Sequence, residues 1–326
     1  MSRSNMGSRL AIVCIAACAV GVLGLVIGSA VAPSDALLAL IGRARQPMHA
    51  SIVFDLRLPR VIAAFAVGGS LALAGVILQA LMRNPLADPY VMGVSGGAAV
   101  GAVLAMLAGA GTLLTQSAAA TGALLAAALV FALGRRLAGA GLLLTGVVFA
   151  SAAGALVAVL LALADPGQLK GIVFWLLGDL GLASQPLAAL AVLLLALAGM
   201  AWFAPALNVM AAGELSAAAL GLDVRRWRAL LFAASAMLTG LAVVTAGMVG
   251  FVGLIAPHTV RLAVGTSDHR IVAPVAVISG GALLAAADLL ARSALAPRQL
   301  PVGAVMALIG APMFMALLAR SAPRRG

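Results

Sequence analysis

The sequence predicts an all-α membrane protein with about ten transmembrane helices, and both its composition and its layout point to this class. Hydrophobic residues make up 64% of the chain and charged residues only 9%, whereas a soluble domain carries about 25% charged residues. Uncharged runs alternate with short segments that hold arginine and proline. The uncharged run Val61–Met82 would form a helix of roughly 33 Å, enough to cross a hydrocarbon core of about 30 Å. We therefore treat residues 1–326 as a single polytopic transmembrane domain.

The first half of the chain contains five predicted spans. Arg3 and Arg9 precede an uncharged run that is longer than the apolar region of a signal peptide. This length favours an uncleaved span with a cytoplasmic N-terminus, although Ala30-Val31-Ala32 leaves a cleaved signal peptide as the alternative. The charge-free stretch 89–134 is too long for one helix and is divided at the glycine-rich turn 109–112. The predicted spans are 10–34, 61–82, two within 89–134, and 142–164, with residues 33–56 outside the membrane.

The second half contains five more predicted spans, at 187–204, 229–248, 251–264, 271–291 and 300–318. Residues 165–185 are predicted to form an external loop with a partial interfacial helix, and residues 205–228 form the longest polar segment. The segment 251–264 is short and is predicted to be interrupted by Pro257. The third and eighth spans are therefore both short and both lie beside a proline break. Such paired broken segments are typical of transporters built from repeats.

The arginines predict how the spans are oriented. With a cytoplasmic N-terminus, 13 of the 20 basic residues fall on the cytoplasmic side and 7 on the external side. This bias has the sign that the positive-inside rule requires. Four external arginines cluster just before the second span or just after the ninth, which topology alone does not explain: Arg57, Arg60, Arg292 and Arg298.

No catalytic or metal site emerges from the sequence. His258 lies far along the chain from His49 and His269 and has no carboxylate at ligand spacing, so we assign it a packing role. Asp288 and Arg292 are four residues apart at the end of the ninth span. An intramembrane acid suggests a function, but Asp288 as a simple tether for Arg292 is an equal alternative. Two cysteines in the first span are expected to pack as small apolar residues: Cys14 and Cys18.

The chain lacks the phosphate-binding loop of an ATPase. Its only lysine, Lys170, is not followed by Ser or Thr and does not lie in a glycine-rich loop, as such a site requires. If transport is driven by ATP, another polypeptide hydrolyses it. The cytoplasmic segment, about 207–224, is too polar for a span, and we expect it to hold a short helix that docks on a partner; a structureless loop is the alternative. In that helix Ala217, Leu220 and Gly221 would share a face, and Gly221 would end it.

The motifs closely resemble the FecCD-type permeases, which are the membrane subunits of ABC importers for ferric siderophores, heme and cobalamin. The resemblance covers nearly the whole chain in order. Its motifs are Arg57-x-Pro59-Arg60, Gly75 to Gln79, Asn84-Pro85-Leu86-Ala87-Asp88-Pro89, Leu207-Asn208, Gly213-Glu214, Leu220-Gly221, Gly250-Phe251-Val252-Gly253-Leu254, Pro257-His258, Asp288 with Arg292, Leu300-Pro301-Val302-Gly303 and Gly310-Ala311-Pro312.

This resemblance implies a type II ABC importer permease in a bacterial inner membrane. It implies a homodimer with the pathway between the two copies, two cytoplasmic ATPase subunits that use ATP and Mg²⁺, and a periplasmic binding protein. The chain itself is expected to bind no cofactor, metal or nucleic acid. For docking of the binding protein, the resemblance implies Arg57, Arg60 and Arg292. For coupling to the ATPase, it implies Gly213, Glu214, Ala217, Leu220 and Gly221. It further implies structural breaks along the pathway at Asn84, Pro85, Pro89, Gly250, Gly253, Pro257 and His258, and an inner gate in the region of Gly139 and Ala140, which lacks the hydroxyl side chains of the cobalamin permease.

The cargo is the least constrained property. One tyrosine, three tryptophans and few polar residues in the spans favour an apolar pathway and hence a flat macrocycle such as heme. A ferric siderophore and cobalamin remain as alternatives. An ion-coupled secondary transporter is the alternative from another class, but such proteins bury ionisable residues near the midplane. Here only Arg261 and Asp288 come close, and both map near span ends.

Overall fold

The computed structural model describes residues 3–135 and 141–321, and within these ranges the chain is helical, with no β-strand. A π-helical stretch, Ile52–Arg57, leads directly into α4, and short 3₁₀ turns occur at Pro89–Met92 and Leu180–Leu182. The α-helices are α1 (Arg3–Val26), α2 (Pro33–Leu40), α3 (Pro47–Ser51), α4 (Leu58–Leu81), α5 (Val94–Leu107), α6 (Thr112–Gly134), α7 (Gly141–Ala162), α8 (Pro166–Leu176), α9 (Pro186–Ala212), α10 (Glu214–Ala219), α11 (Val224–Ala246), α12 (Val252–Val264), α13 (His269–Ser293) and α14 (Val302–Ser321).

The helices agree with the ten predicted spans. Within the described ranges, seven helical segments are long and apolar enough to cross a membrane, and α5, α12 and α14 are shorter apolar helices. The third and eighth predicted spans correspond to α5 and α12, with 14 and 13 residues, so the prediction that both are short is confirmed. The predicted helix in the loop after the fifth span is α8.

Helix α4 forms the centre of the bundle. It is buried along most of its length and packs against α9, α11, α12 and α13. Glycines allow these close approaches, since a Cβ at Gly68 would overlap the carbonyl oxygen of Gly280 on α13, and one at Gly75 would overlap that of Gly253 on α12. Small residues permit such close backbone packing between helices in lipid.

The predicted interruption at Pro257 is wrong, because α12 runs through this proline. A proline cannot donate to the carbonyl four residues earlier, which here belongs to Gly253. The side chain of Gln79 on α4 donates to that carbonyl instead, from Nε2 at 3.0 Å. Gln79 Oε1 in turn accepts from Arg261 Nη1 at 2.6 Å. A neighbouring helix thus satisfies the group that the proline leaves free, as membrane helices require.

The predicted boundary of the sixth span also needs correction. Helix α9 continues through Pro205 to Ala212, so residues 205–212 extend this helix and do not begin a polar loop. Its apolar side chains near this end remain packed, with Leu207 fully buried and Met210 nearly so. Tertiary packing therefore carries the helix past the point at which the sequence becomes more polar.

Candidate functional site

Three arginines that the sequence places at the external mouth meet in one cleft of about 440 Å³, together with Asp55 and Gln299. We call Arg57, Arg60, Arg292, Asp179 and Asp288 the outer cluster. Its members come from the start of α4, the end of α13 and the loop after α8. Helices that are distant in sequence thus bring these charges together at one end of the bundle.

Arg57 is the most buried arginine of the outer cluster, with 5% of its surface exposed. Its Nη1 donates to the carbonyl oxygens of Leu25 at 2.9 Å and Val26 at 2.8 Å, and its Nη2 donates to that of Val31 at 3.3 Å. These carbonyls lie at and just beyond the C-terminal end of α1, where helix carbonyls lack intrahelical partners and the macrodipole favours a cation. Arg57 therefore holds α1 against the start of α4.

Arg60 joins four parts of the chain. Its Nε donates to Asp288 Oδ1 at 2.8 Å and Oδ2 at 3.1 Å, and its Nη1 donates to Gln299 Oε1 at 3.2 Å. Its Nη2 lies 3.6 Å from Asp179 Oδ1, in the loop after α8. A guanidinium fork suits several oxygen acceptors at once, so Arg60 links α4, α13 and the loops before α9 and α14.

Arg292 completes the outer cluster from the other side of Asp288. Its Nε lies 3.6 Å from Asp288 Oδ2, and its Nη2 donates to the carbonyl of Gly24 on α1. Asp288 is thus shared by two arginines, and its nearer partner is Arg60. The idea that Asp288 serves only to tether Arg292 is therefore wrong. Asp179 and Gln299 were not predicted as members of the site, because nothing local in the sequence pairs them with Arg60.

The predicted cytoplasmic helix is α10, between the end of α9 and the start of α11. Gly213 before it has φ +132° and Gly221 after it has φ +81°, conformations that favour glycine. Glu214 forms an ion pair with Arg228 on α11. The predicted shared face is wrong: Ala217 is fully buried whereas Leu220 is 71% exposed. The helix ends at Ala219, so Leu220 no longer follows the helical period. Leu215, which the sequence did not single out, is 89% exposed.

A polar contact fixes the base of α10 to α13. Asn208, in the last two turns of α9, donates from Nδ2 to Asp268 Oδ1 at 2.8 Å and accepts from the backbone N–H of His269 at 3.0 Å. Asp268 caps α13 by accepting from Arg270 N at 3.0 Å. This backbone hydrogen bond and the Asn208 amide lower the pKa of Asp268. The C-terminal end of α9 and the N-terminal end of α13 are therefore held together beside α10.

The predicted structural breaks divide into three groups. Asn84, Pro85 and Pro89 lie between α4 and α5, where Asn84 Oδ1 accepts from Leu86 N at 2.9 Å. Gly253 is tightly packed, since a Cβ there would lie 2.9 Å from Pro89 Cδ. Gly250 lies in the non-helical segment before α12, in open space, since a Cβ there would meet nothing within 4 Å. The ring of His258 packs edge-on against Phe314, with centroids 6.3 Å apart; its packing role stays a prediction. The predicted inner-gate region of Gly139 and Ala140 lies outside the described residues.

Comparison with known proteins agrees with this architecture. Residues 13–320 match the family model described as the FecCD transport family. The chain belongs to the FecCD transport family. A cobalamin import system permease protein of Halobacterium salinarum is 44% identical over 82% of this chain and 73% of its own length. A vitamin B12 import system permease protein of Klebsiella pneumoniae is 40% identical over 83% of each chain.

A solved structure gives the same result for the fold of this FecCD-family chain. An inward-facing metal-chelate type ABC transporter superimposes with a TM-score of 0.84 at 30% identity, over 95% of this chain and 98% of that one. The all-helical type II ABC importer permease architecture expected from the sequence is therefore confirmed. The chain is a multi-pass ABC importer permease of the family that carries iron chelates and cobalamin.

Proposed function

We propose that this chain is the permease subunit of a cobalamin importer in a bacterial inner membrane. The observation that carries the choice of cargo is its identity of 40% or more, over more than four fifths of its length, to two permeases named for cobalamin or vitamin B12. Heme, which the apolar composition favours, remains the second candidate. Both are large macrocyclic metal chelates, so the class of transporter does not depend on which one is carried.

The outer cluster supports a docking role for a periplasmic binding protein. Three guanidinium groups converge at an external cleft that Asp55 also lines. With Asp179 and Asp288 the site holds as many carboxylates as arginines, so the docking role rests on the guanidinium groups and not on a net positive charge. A guanidinium fork suits a partner carboxylate, so glutamates of the binding protein are the expected ligands. Because each arginine already contacts its own chain, the docked carboxylate would share or replace an internal acceptor.

The cytoplasmic side supports coupling to an ATPase. Leu215 on α10 and Leu220 directly after it have most of their surface exposed, and exposed apolar side chains suit a protein partner. The Glu214–Arg228 ion pair ties α10 to α11, and Asn208 ties the end of α9 to α13. A displacement of α10 by a partner would therefore be transmitted to three spanning helices. In the proposed mechanism two copies alternate between outward and inward access as two ATPases bind and hydrolyse ATP.

Reconstituted transport tests the proposal. Proteoliposomes holding this chain with its ATPase would receive binding protein loaded with cobalamin or with heme, with and without ATP. We expect ATP-dependent cobalamin uptake that Leu215→Asp abolishes, whereas Arg43→Gln, which removes an exposed external arginine, leaves it unchanged. ATP-dependent uptake of heme alone would replace the cargo and keep the class. Uptake driven by an ion gradient without ATP would contradict the class.

A further inference from the structure

A long apolar groove lies on the outer surface of the bundle, away from both the outer cluster and α10. It has a volume of about 510 Å³ and an almost wholly apolar lining, with α11 as its floor and α6 and α9 as its walls. The lining of α11 includes the small residues Ala234 and Gly240, and Leu73 and Ile77 of α4 also line the groove. From Leu231 to Val244 the lining extends roughly 20 Å at the helical rise of about 1.5 Å per residue.

The exposed face of α11 extends the groove to the cytoplasmic surface. Leu230, Ala233 and Met237 are exposed along this face at helical spacing, and Arg226 lies one turn before Leu230. The Arg226 side chain is 84% exposed and forms an ion pair of 2.9 Å with Asp223, itself half exposed. Exposed ion pairs of this kind are weak and exchange readily, so Arg226 remains available to an external anion at the foot of the groove.

Aromatic side chains mark the level at which the groove reaches the membrane interface. Trp202 on α9 is 86% exposed, and its neighbour Phe203, which lines the groove, packs edge-on against Trp227 of α11 with ring centroids 5.6 Å apart. Tryptophan is enriched at the height of lipid head groups. From this level toward the membrane interior the groove therefore faces the acyl chains of the lipids, and Arg226 lies at the level of their phosphates.

The local charge selects the kind of head group. The described end of α6, helix α10 and the start of α11 carry four arginines against two carboxylates: Arg135, Arg225, Arg226 and Arg228 against Glu214 and Asp223. The cytoplasmic leaflet is anionic, and basic sites between helices on that side bind anionic head groups. A groove of roughly 20 Å also exceeds the depth of one leaflet, about half of a core of 30 Å, so it holds the full length of one acyl chain.

We propose that this groove is a binding site for one anionic phospholipid of the cytoplasmic leaflet, with an acyl chain between α6 and α9 and the phosphate at Arg226. The lipid would fill the space beside α11, the helix that α10 contacts through the Glu214–Arg228 ion pair. This site does not depend on the proposed cargo or on the ATPase.

Native mass spectrometry of the purified full chain tests the site. Phosphatidylglycerol and phosphatidylcholine with the same acyl chains would be offered in equal amounts. We expect about fivefold stronger retention of phosphatidylglycerol, from roughly 1 kcal/mol for one arginine near an anionic surface. Arg226→Gln should remove this preference, and Arg43→Gln, an exposed arginine on the external side, should retain it. Equal preference in Arg226→Gln and in the parent would overturn the proposal.

Substitutions that fill the groove test where the acyl chain lies. Ala234→Trp on the floor and Ala196→Trp on the α9 wall should each reduce retention of both lipids. Ala198→Trp, on an exposed face of α9 outside the groove, should not. Two filling variants on different helices guard against one that fails to fold. If they bind lipid as the parent does, or if they instead separate a dimer, the groove is not a lipid site and the proposal is wrong.

Discussion

Removing the Asp288 carboxylate is expected to destabilise the protein strongly. Asp288 is 2% exposed and lies between Arg60, at 2.8 Å and 3.1 Å, and Arg292, at 3.6 Å. In Asp288→Asn both guanidinium groups, whose side chains are only 13% and 9% exposed, would lose their shared counter-charge. Breaking a buried pair by removing one partner costs about 3–5 kcal/mol. Arg60 keeps Asp179 and Gln299, so we expect the lower end, about 3 kcal/mol.

Unfolding in mixed detergent micelles by titration with sodium dodecyl sulfate measures this loss. Asp55→Asn is the matched control, because Asp55 lines the same cleft but is exposed, and surface substitutions usually change stability by less than about 0.5 kcal/mol. The double variant Asp288→Asn/Arg60→Gln should lose less than the sum of the single variants, because the two side chains interact directly. A loss below about 1 kcal/mol in Asp288→Asn, or full additivity, would refute the reasoning.

Three further predictions concern other parts of the chain. Gly247→Ala should lower the free energy of unfolding by about 2 kcal/mol or more in the same titration, because Gly247 has φ +70° and an added Cβ would overlap the Trp175 carbonyl. The control is Gly250→Ala, where the space is open, and an equally small loss in both variants would contradict this reasoning. Burial raises the pKa of Asp88 to about 6, so the folded state holds the extra proton and the Asp88 contribution to the free energy of unfolding should fall as pH rises from about 4 to 6. Asp88→Asn should remove this contribution, and an equal pH dependence in the variant and the parent would refute the assignment. Leu215→Asp should lower ATPase stimulation by loaded binding protein severalfold without loss of stability, and normal stimulation would exclude α10 as the contact.

The sequence predicts well where the chain breaks between helices, and less well whether a helix continues through a proline. The breaks between α4 and α5 and before α12 follow from proline and glycine, whose backbone restrictions act locally. Pro257 shows the limit of this reasoning. Whether a proline interrupts a helix depends on whether another group satisfies the freed carbonyl, and here that group is Gln79, which lies 174 residues away. Helix α9 also continues through a proline, Pro205, and its last turns are held by the buried side chains of Leu207 and Met210.

The predicted docking arginines show a similar division. Their clustering at one end of the bundle was expected, and the cleft brings them together. Their partners were not expected, since Arg57 contacts carbonyls at the end of α1 and Arg60 contacts Asp179 and Gln299. The docking role of Arg57, Arg60 and Arg292 stays a proposal that must now allow for these internal contacts.

The sequence by itself determined the class, the ten apolar helices, the two short ones among them and the family to which the chain belongs. These properties depend on apolar length, on charge and on local backbone restrictions, all of which are written along the chain. Only the tertiary structure decided which side chains meet, such as Arg60 with Asp288, 228 positions apart. Helices that face lipid are apolar on most sides, so they carry little amphipathic pattern to show which face turns inward. Their rotation and pairing follow instead from close packing at small residues and from a few buried polar groups.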